Sequence, residues 1–355
     1  RAAAGNMATM ALTVISNAAA IQTSPGLRTE AIAALALSDI DIVGDVRPAP
    51  RDTVQVEMDA TLTYFAHGDS QGNVFIGRLT DGITHRTFAA QELGPGTRMP
   101  VRSVAFDPEG RKLAARFEGG AMVVWDVATG ARLLASGVNA TNLVIAGMSF
   151  WPDANRLSFG DADANGQIAL FDFDSWEILH RAIRVGARTF RFRPGTMEVA
   201  VATDASVDLY AYPESRKLAT LETTTRVFTM AWSPDGSQLA VATEDGDVYL
   251  WSVRRSAQRI LRGHSEPCVR LGFSPDGAFL FSGSRDGTTR LWDAALGQTI
   301  VSAHEGVGHI FSNDGERIGF WRPSVGFGVW RLSRSEIYRQ LVCPKADGAF
   351  LSVDL

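Results

Sequence analysis

The sequence predicts an all-β fold built from seven copies of one unit of about 40 residues, and three observations carry that expectation. The first is the stretch Gly263–Asp293, GHSEPCVRLGFSPDGAFLFSGSRDGTTRLWD. There a Gly-His pair, a Ser-Pro-Asp-Gly turn, the turn Asp286-Gly287 and a closing Trp292-Asp293 separate short runs of Val, Leu and Phe. Each run has the length of a strand and each break is a cluster of turn residues. The second is the recurrence of its first turn, as Asp107-Pro108-Glu109-Gly110, Trp151-Pro152-Asp153, Arg193-Pro194-Gly195, Ser233-Pro234-Asp235-Gly236, Ser274-Pro275-Asp276-Gly277 and Ser312-Asn313-Asp314-Gly315. The steps between copies are 44, 42, 40, 41 and 38 residues. The third is a large aromatic near the end of each third strand: Trp125, Phe171, Tyr210, Trp251, Trp292 and Trp330. A more degenerate first copy, around Asp59 to Gly82, closes its strand with Ile76-Gly77 and brings the total to seven.

Across 355 residues the composition is 45% hydrophobic and 21% charged with a net charge of −5, which suits a soluble globular chain and gives no basic surface for nucleic acid. Two cysteines, Cys268 and Cys343, are too few for a disulfide scaffold or a thiolate metal site. Residues 1–38 are expected to form a helical hairpin and linker. Met7, Met10, Val14, Ile15 and Ile21 recur at helical spacing, Ser24-Pro25-Gly26 breaks the run, and a second helix is expected over Leu27–Leu37. Asn6, Thr9, Thr13 and Asn17 interrupt the first stretch, so no membrane span is expected in it. Asp39–Arg47 alternates apolar and polar residues without a repeat of its own, and is the expected closing strand, borrowed as the outer strand of the sheet over Val307–Leu332. The repeats are then expected to fill 39–335. In 336–355, Asp347-Gly348 and Ala349-Phe350-Leu351 echo Asp276-Gly277 and Ala278-Phe279-Leu280, so a further repeat or second domain is expected to begin there. On that reading the chain is an internal piece of a longer protein.

Over most of their length these repeats resemble WD40 repeats. The resemblance implies a seven-bladed β-propeller, here behind a short helical hairpin, and a bracing tetrad in each blade. The sixth copy matches all four tetrad positions, as Trp292, Ser282, Asp286 and His264. A buried indole N–H needs an acceptor, and hydroxyl, imidazole and carboxylate supply a connected chain of them. The fifth copy keeps Asp245 and Trp251 but has Val241 at the serine position and no Gly-His pair. That blade and the others are expected to rely on apolar packing. A narrower resemblance covers Leu27–Val43, LRTEAIAALALSDIDIV, which is similar to the joint before the propeller in large bacterial proteins with an upstream serine/threonine kinase domain. It implies a signalling context, in some such proteins tethered to a membrane. No glycine-rich loop, HRD or DFG motif occurs here, so no catalytic residue is carried over.

Three groups of residues invite a chemical reading. Ser282, His264 and Asp286 have the composition of a catalytic triad, but their positions match a buried brace rather than an exposed nucleophile. Asp161, Asp163 and Asn165 have the spacing of a calcium loop, with Asp172 at its twelfth position; an intervening extended strand of ~20 Å takes Asp172 too far away to share the ion, which favours a plain turn. Arg102, Arg188 and Arg226 enter their first strands at even spacing and suit acidic or phosphorylated peptides, or else simple pairing with Glu118, Asp204 and Glu244. The function expected is a non-catalytic, monomeric scaffold for a protein or peptide partner, with no cofactor. The alternative is a propeller hydrolase or lyase with an axial site, which needs acids, histidines or metal ligands on the innermost strands. These strands read mainly as Val, Ala, Met, Phe and Thr.

Overall fold

The computed structural model describes residues 39–48, 52–89, 99–118, 121–136, 148–151, 153, 155–161, 167–184, 189–255, 257–304, 306–322 and 325–333. Contacts divide the chain into two compact units, one of 42–330 and one of 1–41 with 331–355. In the second unit the described residues are few, and Arg331 there lies 3.8 Å from the Asp41 carboxylate. The helical hairpin expected over 2–37 lies outside the described residues. Among those, the helical structure is a single 3-10 turn, Val253–Arg255.

Everything else regular is strand. The first strand is β1 (Asp39–Arg47). Blade one is β2 (Thr53–Met58), β3 (Tyr64–Asp69), β4 (Val74–Arg78) and β5 (Thr84–Phe88). Blade two is β6 (Val101–Phe106), β7 (Lys112–Phe117), β8 (Met122–Asp126) and β9 (Arg132–Ser136). Blade three is β10 (Met148–Phe150), β11 (Arg156–Asp161), β12 (Gln167–Asp172) and β13 (Glu177–Arg184). Blade four is β14 (Phe190–Phe192), β15 (Glu198–Ala202), β16 (Ser206–Ala211) and β17 (Arg216–Glu222). Blade five is β18 (Val227–Trp232), β19 (Gln238–Thr243), β20 (Val248–Ser252) and β21 (Ala257–Leu261). Blade six is β22 (Cys268–Phe273), β23 (Phe279–Ser284), β24 (Thr289–Asp293) and β25 (Thr299–Ala303). Blade seven has only β26 (Val307–Phe311), β27 (Arg317–Arg322) and β28 (Gly326–Ser333) from its own stretch, and β1 joins it beside β28 as the fourth strand. The result is a seven-bladed β-propeller of four-stranded sheets.

The recurring turn is built by one buried acceptor. In blade six the Ser274 hydroxyl donates to Asp276 at 2.5 Å and accepts the Phe279 N–H at 2.9 Å, closing the β22–β23 connection. Ser233 does the same with Asp235 and Gln238. In the first two blades aspartates substitute, Asp59 accepting from Thr63 and Tyr64 and Asp107 from Arg111 and Lys112. All four residues are buried, so each satisfies backbone donors that water does not reach.

The core lies between blades. Ala66, Val74, Ile76 and Phe88 of blade one pack with Val101, Val104, Leu113 and Trp125 of blade two, and equivalent clusters join the later neighbours. At the seam, Met58, Leu62, Phe65 and Leu79 of blade one meet Phe327 of blade seven, with the Phe65 and Phe327 rings 4.3 Å apart. Gly319 lies in the same seam, where a Cβ would stand 2.5 Å from the Met58 sulfur. Replacing Phe327 by Ala is expected to cost about 3–5 kcal/mol. Urea unfolding checks this against Leu296→Ala on the exposed surface, which is expected to stay within about 0.5 kcal/mol of the parent.

Candidate functional site

The sixth blade brings its four polar residues into one chain. Trp292 Nε1 donates to Ser282 Oγ at 2.8 Å, Ser282 Oγ lies 2.8 Å from His264 Nε2, and His264 Nδ1 lies 3.0 Å from Asp286 Oδ2. The arrangement is self-consistent with a neutral imidazole: indole N–H to hydroxyl, hydroxyl to Nε2, and Nδ1–H to carboxylate. Burial lowers the His264 pKa and outweighs the pull of Asp286. Burial works to raise the Asp286 carboxyl, but hydrogen bonds from Thr288, His264 and the Ser265 N–H hold it at about 2. Ser282 is fully buried and its hydroxyl is engaged on both sides, so it presents no nucleophile to solvent.

The fifth blade has a different polar device, and the expectation of purely apolar packing there is corrected. Thr224 Oγ1 lies 2.8 Å from the Tyr249 hydroxyl and donates to Asp245 at 2.9 Å, while Thr243 Oγ1 donates to the other Asp245 oxygen at 2.6 Å. Asp245 is thus held by two threonines, one of which also meets Tyr249. In blade four Tyr212 is buried and donates toward the Ile168 and His180 carbonyls at 2.9 and 3.0 Å, tying blade four to blade three.

Of the three arginines singled out by spacing, Arg102 pairs with Glu118 at 2.5 Å in a largely exposed bridge, an arrangement of little energetic weight. Arg188 lies outside the described residues. Arg226 is exposed and its guanidinium sits 5.7 Å from the centre of the Phe228 ring. Arg285, on the β23–β24 turn, approaches the same ring at 5.2 Å. Two cations over one partly exposed aromatic form the most distinctive described surface feature of blades five and six. Asp163 and Asn165 also lie outside the described residues, and Asp172 accepts from the Asp174 and Ser175 backbone N–H groups in the next turn. No group of three or more metal-binding side chains occurs among the described residues. Burial pushes the Cys268 thiol up to about 12, leaving it unreactive.

Sequence reasoning missed a cluster on the axis. Glu57, Ala105, Ser149, Arg191, Ala231, Gly272 and Ile310 hold the same register in the seven innermost strands, each paired with the third residue of the second strand. They are partly exposed, whereas the residues before them in the first five blades, such as Val56, Val104 and Phe190, are buried between blades. His309 Nε2 lies 3.1 Å and Arg270 4.0 Å from the Glu57 carboxylate. Burial works to raise the Glu57 pKa, yet His309, Arg270 and Arg191 together hold it below its ordinary value. Burial lowers the Arg191 pKa, Arg270 lowers it further and Glu57 opposes both. The expectation that the innermost strands carry mainly apolar residues and threonine is corrected by these four. Aligning the repeats on their turns and reading down that one column picks out Glu57 and Arg191, while Arg270 and His309 stand outside it.

Blade architecture, register and turn chemistry define a repeat propeller. The comparisons with known proteins place its repeats: the model described as "WD domain, G-beta repeat" matches residues 215–252 and 255–293, and the chain carries WD40 repeats on a seven-bladed β-propeller. A curated relative, the "WD repeat-containing protein WDS homolog" of Arabidopsis thaliana, is 26% identical over 178 residues, which is 47% of this chain. The match covers 33% of that relative's length. No helix among the described residues is long and apolar enough to cross a membrane.

Two outcomes follow for the buried polar groups. Ser282→Ala leaves the Trp292 indole and His264 Nε2 without partners, and is expected to cost about 1–3 kcal/mol, measured by chemical unfolding. His67, stacked 4.5 Å from Phe75, has its pKa lowered from 6.5 to about 4 by burial. His264 is shifted the same way. Both bind protons more readily when unfolded, so the stability they carry is present above 6.5 and is lost as pH falls below it, toward 4 for His67. The unfolding midpoint is expected to drop between pH 7 and 5, and less so in His67→Gln.

Proposed function

We propose that the propeller is a non-catalytic interaction scaffold that takes an acidic segment of a partner protein across blades five and six. The observation that carries this reading is Phe228 with Arg226 and Arg285 over its ring. Guanidinium groups stacked on an aromatic keep their forked N–H donors pointing outward, which suits carboxylates. The polar side chains that resemble catalytic groups in blade six are consumed by each other inside the blade.

The enzyme alternative draws on Glu57 and His309 at the axis. A carboxylate whose pKa is held below its ordinary value by two guanidinium groups and an imidazole is a weak proton acceptor at neutral pH. That favours the scaffold. The finer reading is that this scaffold serves as a docking or input arm of a larger bacterial signalling protein; its support is the resemblance of Leu27–Val43 to the joint between kinase and propeller. A protein or peptide partner and a monomeric propeller belong to the same proposal.

A peptide array probed with the purified chain tests the surface. Acidic peptides are expected to bind more weakly as salt rises, and Arg226→Ala with Arg285→Ala is expected to weaken them about tenfold or more, roughly 1–3 kcal/mol. An array without preference for acidic sequences, or binding unchanged in the double variant, sinks the proposal.

A further inference from the structure

Two arginines converge on the axis of the ring against one carboxylate. Arg191 and Arg270 are close enough to repel one another, and both act on Glu57, which Arg270 approaches to 4.0 Å. Arg191 uses one guanidinium nitrogen locally, donating to the Phe190 carbonyl at 2.8 Å and to Thr189 at 3.3 Å. Arg270 is 37% exposed and has Glu57 as its carboxylate neighbour among the described residues. With Glu57 ionised, the two guanidinium groups leave these three residues with one excess positive charge in a partly buried setting, where an uncompensated cation is costly.

The same ring of positions supplies room. In the register held by Glu57 and Arg191, four of the other five blades present Ala105, Ser149, Ala231 and Gly272, none larger than serine. Long side chains therefore enter the axis from some blades while the remaining walls stay back. The Glu57 side chain shows what the cationic groups accept: a carboxylate on a flexible stem, beside an imidazole at 3.1 Å and a guanidinium at 4.0 Å.

We infer that the axis of the propeller is a carboxylate-binding site, formed by Arg191 and Arg270, in which Glu57 is an internal occupant that competes with an incoming acidic group. An entering carboxylate from an Asp or Glu side chain balances the excess charge that Glu57 leaves. It draws on guanidinium donors that Glu57 does not saturate at 4.0 Å. The inference goes beyond the scaffold reading and does not rest on it, because a free dicarboxylate enters or fails to enter whether or not a protein docks over Phe228.

The test uses the whole chain with glutarate as probe, followed by thermal shift and by calorimetric titration, each against sodium chloride of equal ionic strength. Glutarate is expected to raise the melting temperature above the chloride control. Glu57→Gln is expected to tighten binding about tenfold by removing the competitor, and Arg191→Gln to abolish it. Ala231→Leu fills the axis without changing charge and is expected to abolish binding too; it carries the test if Arg191→Gln does not fold. Absence of a shift above chloride in both the parent and Glu57→Gln overturns the inference, as does binding that survives Ala231→Leu. Stabilisation by inorganic phosphate without any by glutarate overturns the assignment to carboxylates.

Discussion

Every blade is buried on both faces, and that requirement governs the rest of the molecule. A four-stranded sheet with apolar residues on both sides has no stable existence alone; each needs a neighbour on either side. Trp125 stacks on Phe88 of the preceding blade at 4.5 Å, and Phe65 meets Phe327 across the seam at 4.3 Å. A row of such sheets leaves two unpaired faces unless it closes. Closure in turn calls for a strand that does not come from the last repeat, and β1 lies beside β28 in that sheet. The matched repeats show the same logic in the chain's interior. Residues 215–252 run from the outer strand of blade four through three strands of blade five, and 255–293 repeat the pattern one blade on. Sequence repeat and structural blade are offset by one strand, so each covalent repeat staples two blades.

Because apolar burial does most of the holding, the polar networks are free to vary. The buried Trp292 indole in blade six is satisfied through Ser282, His264 and Asp286. In blade five the corresponding Trp251 has Val241 nearby in the serine register, and the polar chain has moved to Thr224, Asp245, Thr243 and Tyr249. What persists between these two blades is a turn aspartate that accepts from neighbouring side chains, not the residue types that donate to it. Erosion of the tetrad across blades is thus compatible with an intact ring.

This explains what was readable from the chain. The seven units could be counted because their turns need a particular chemistry: Ser274 and Ser233 are fixed by the backbone donors they accept, and Asp59 and Asp107 do the same task with a different side chain. Blade one, with Gly77 at the tryptophan position and no turn proline, was the hardest to see because both conspicuous markers are missing. The four residues of blade six could be picked together since they lie within one repeat. The Thr224 network could not, since no fixed residue type announces it. The axial cluster was hidden for another reason. Glu57 and His309 stand 3.1 Å apart but belong to the first and last blades, and a local reading of either strand finds one charged or polar residue among apolar ones.

That separation is itself a property of the ring. Residues on the innermost strands are brought together only by closure, so a charge cluster at the axis adds nothing to the folding of any one blade. Arg191, Arg270, Glu57 and His309 converge from blades four, six, one and seven. Each is surrounded along its own strand by residues that would form the same sheet without it: Phe190 and Phe192 flank Arg191, and Val56 and Met58 flank Glu57. Packing between blades does not require like charges at the centre, and the repulsion between Arg191 and Arg270 works against assembly. A feature that opposes closure, and that the strands do not need, points to a use at the axis rather than to a role in holding the blades together.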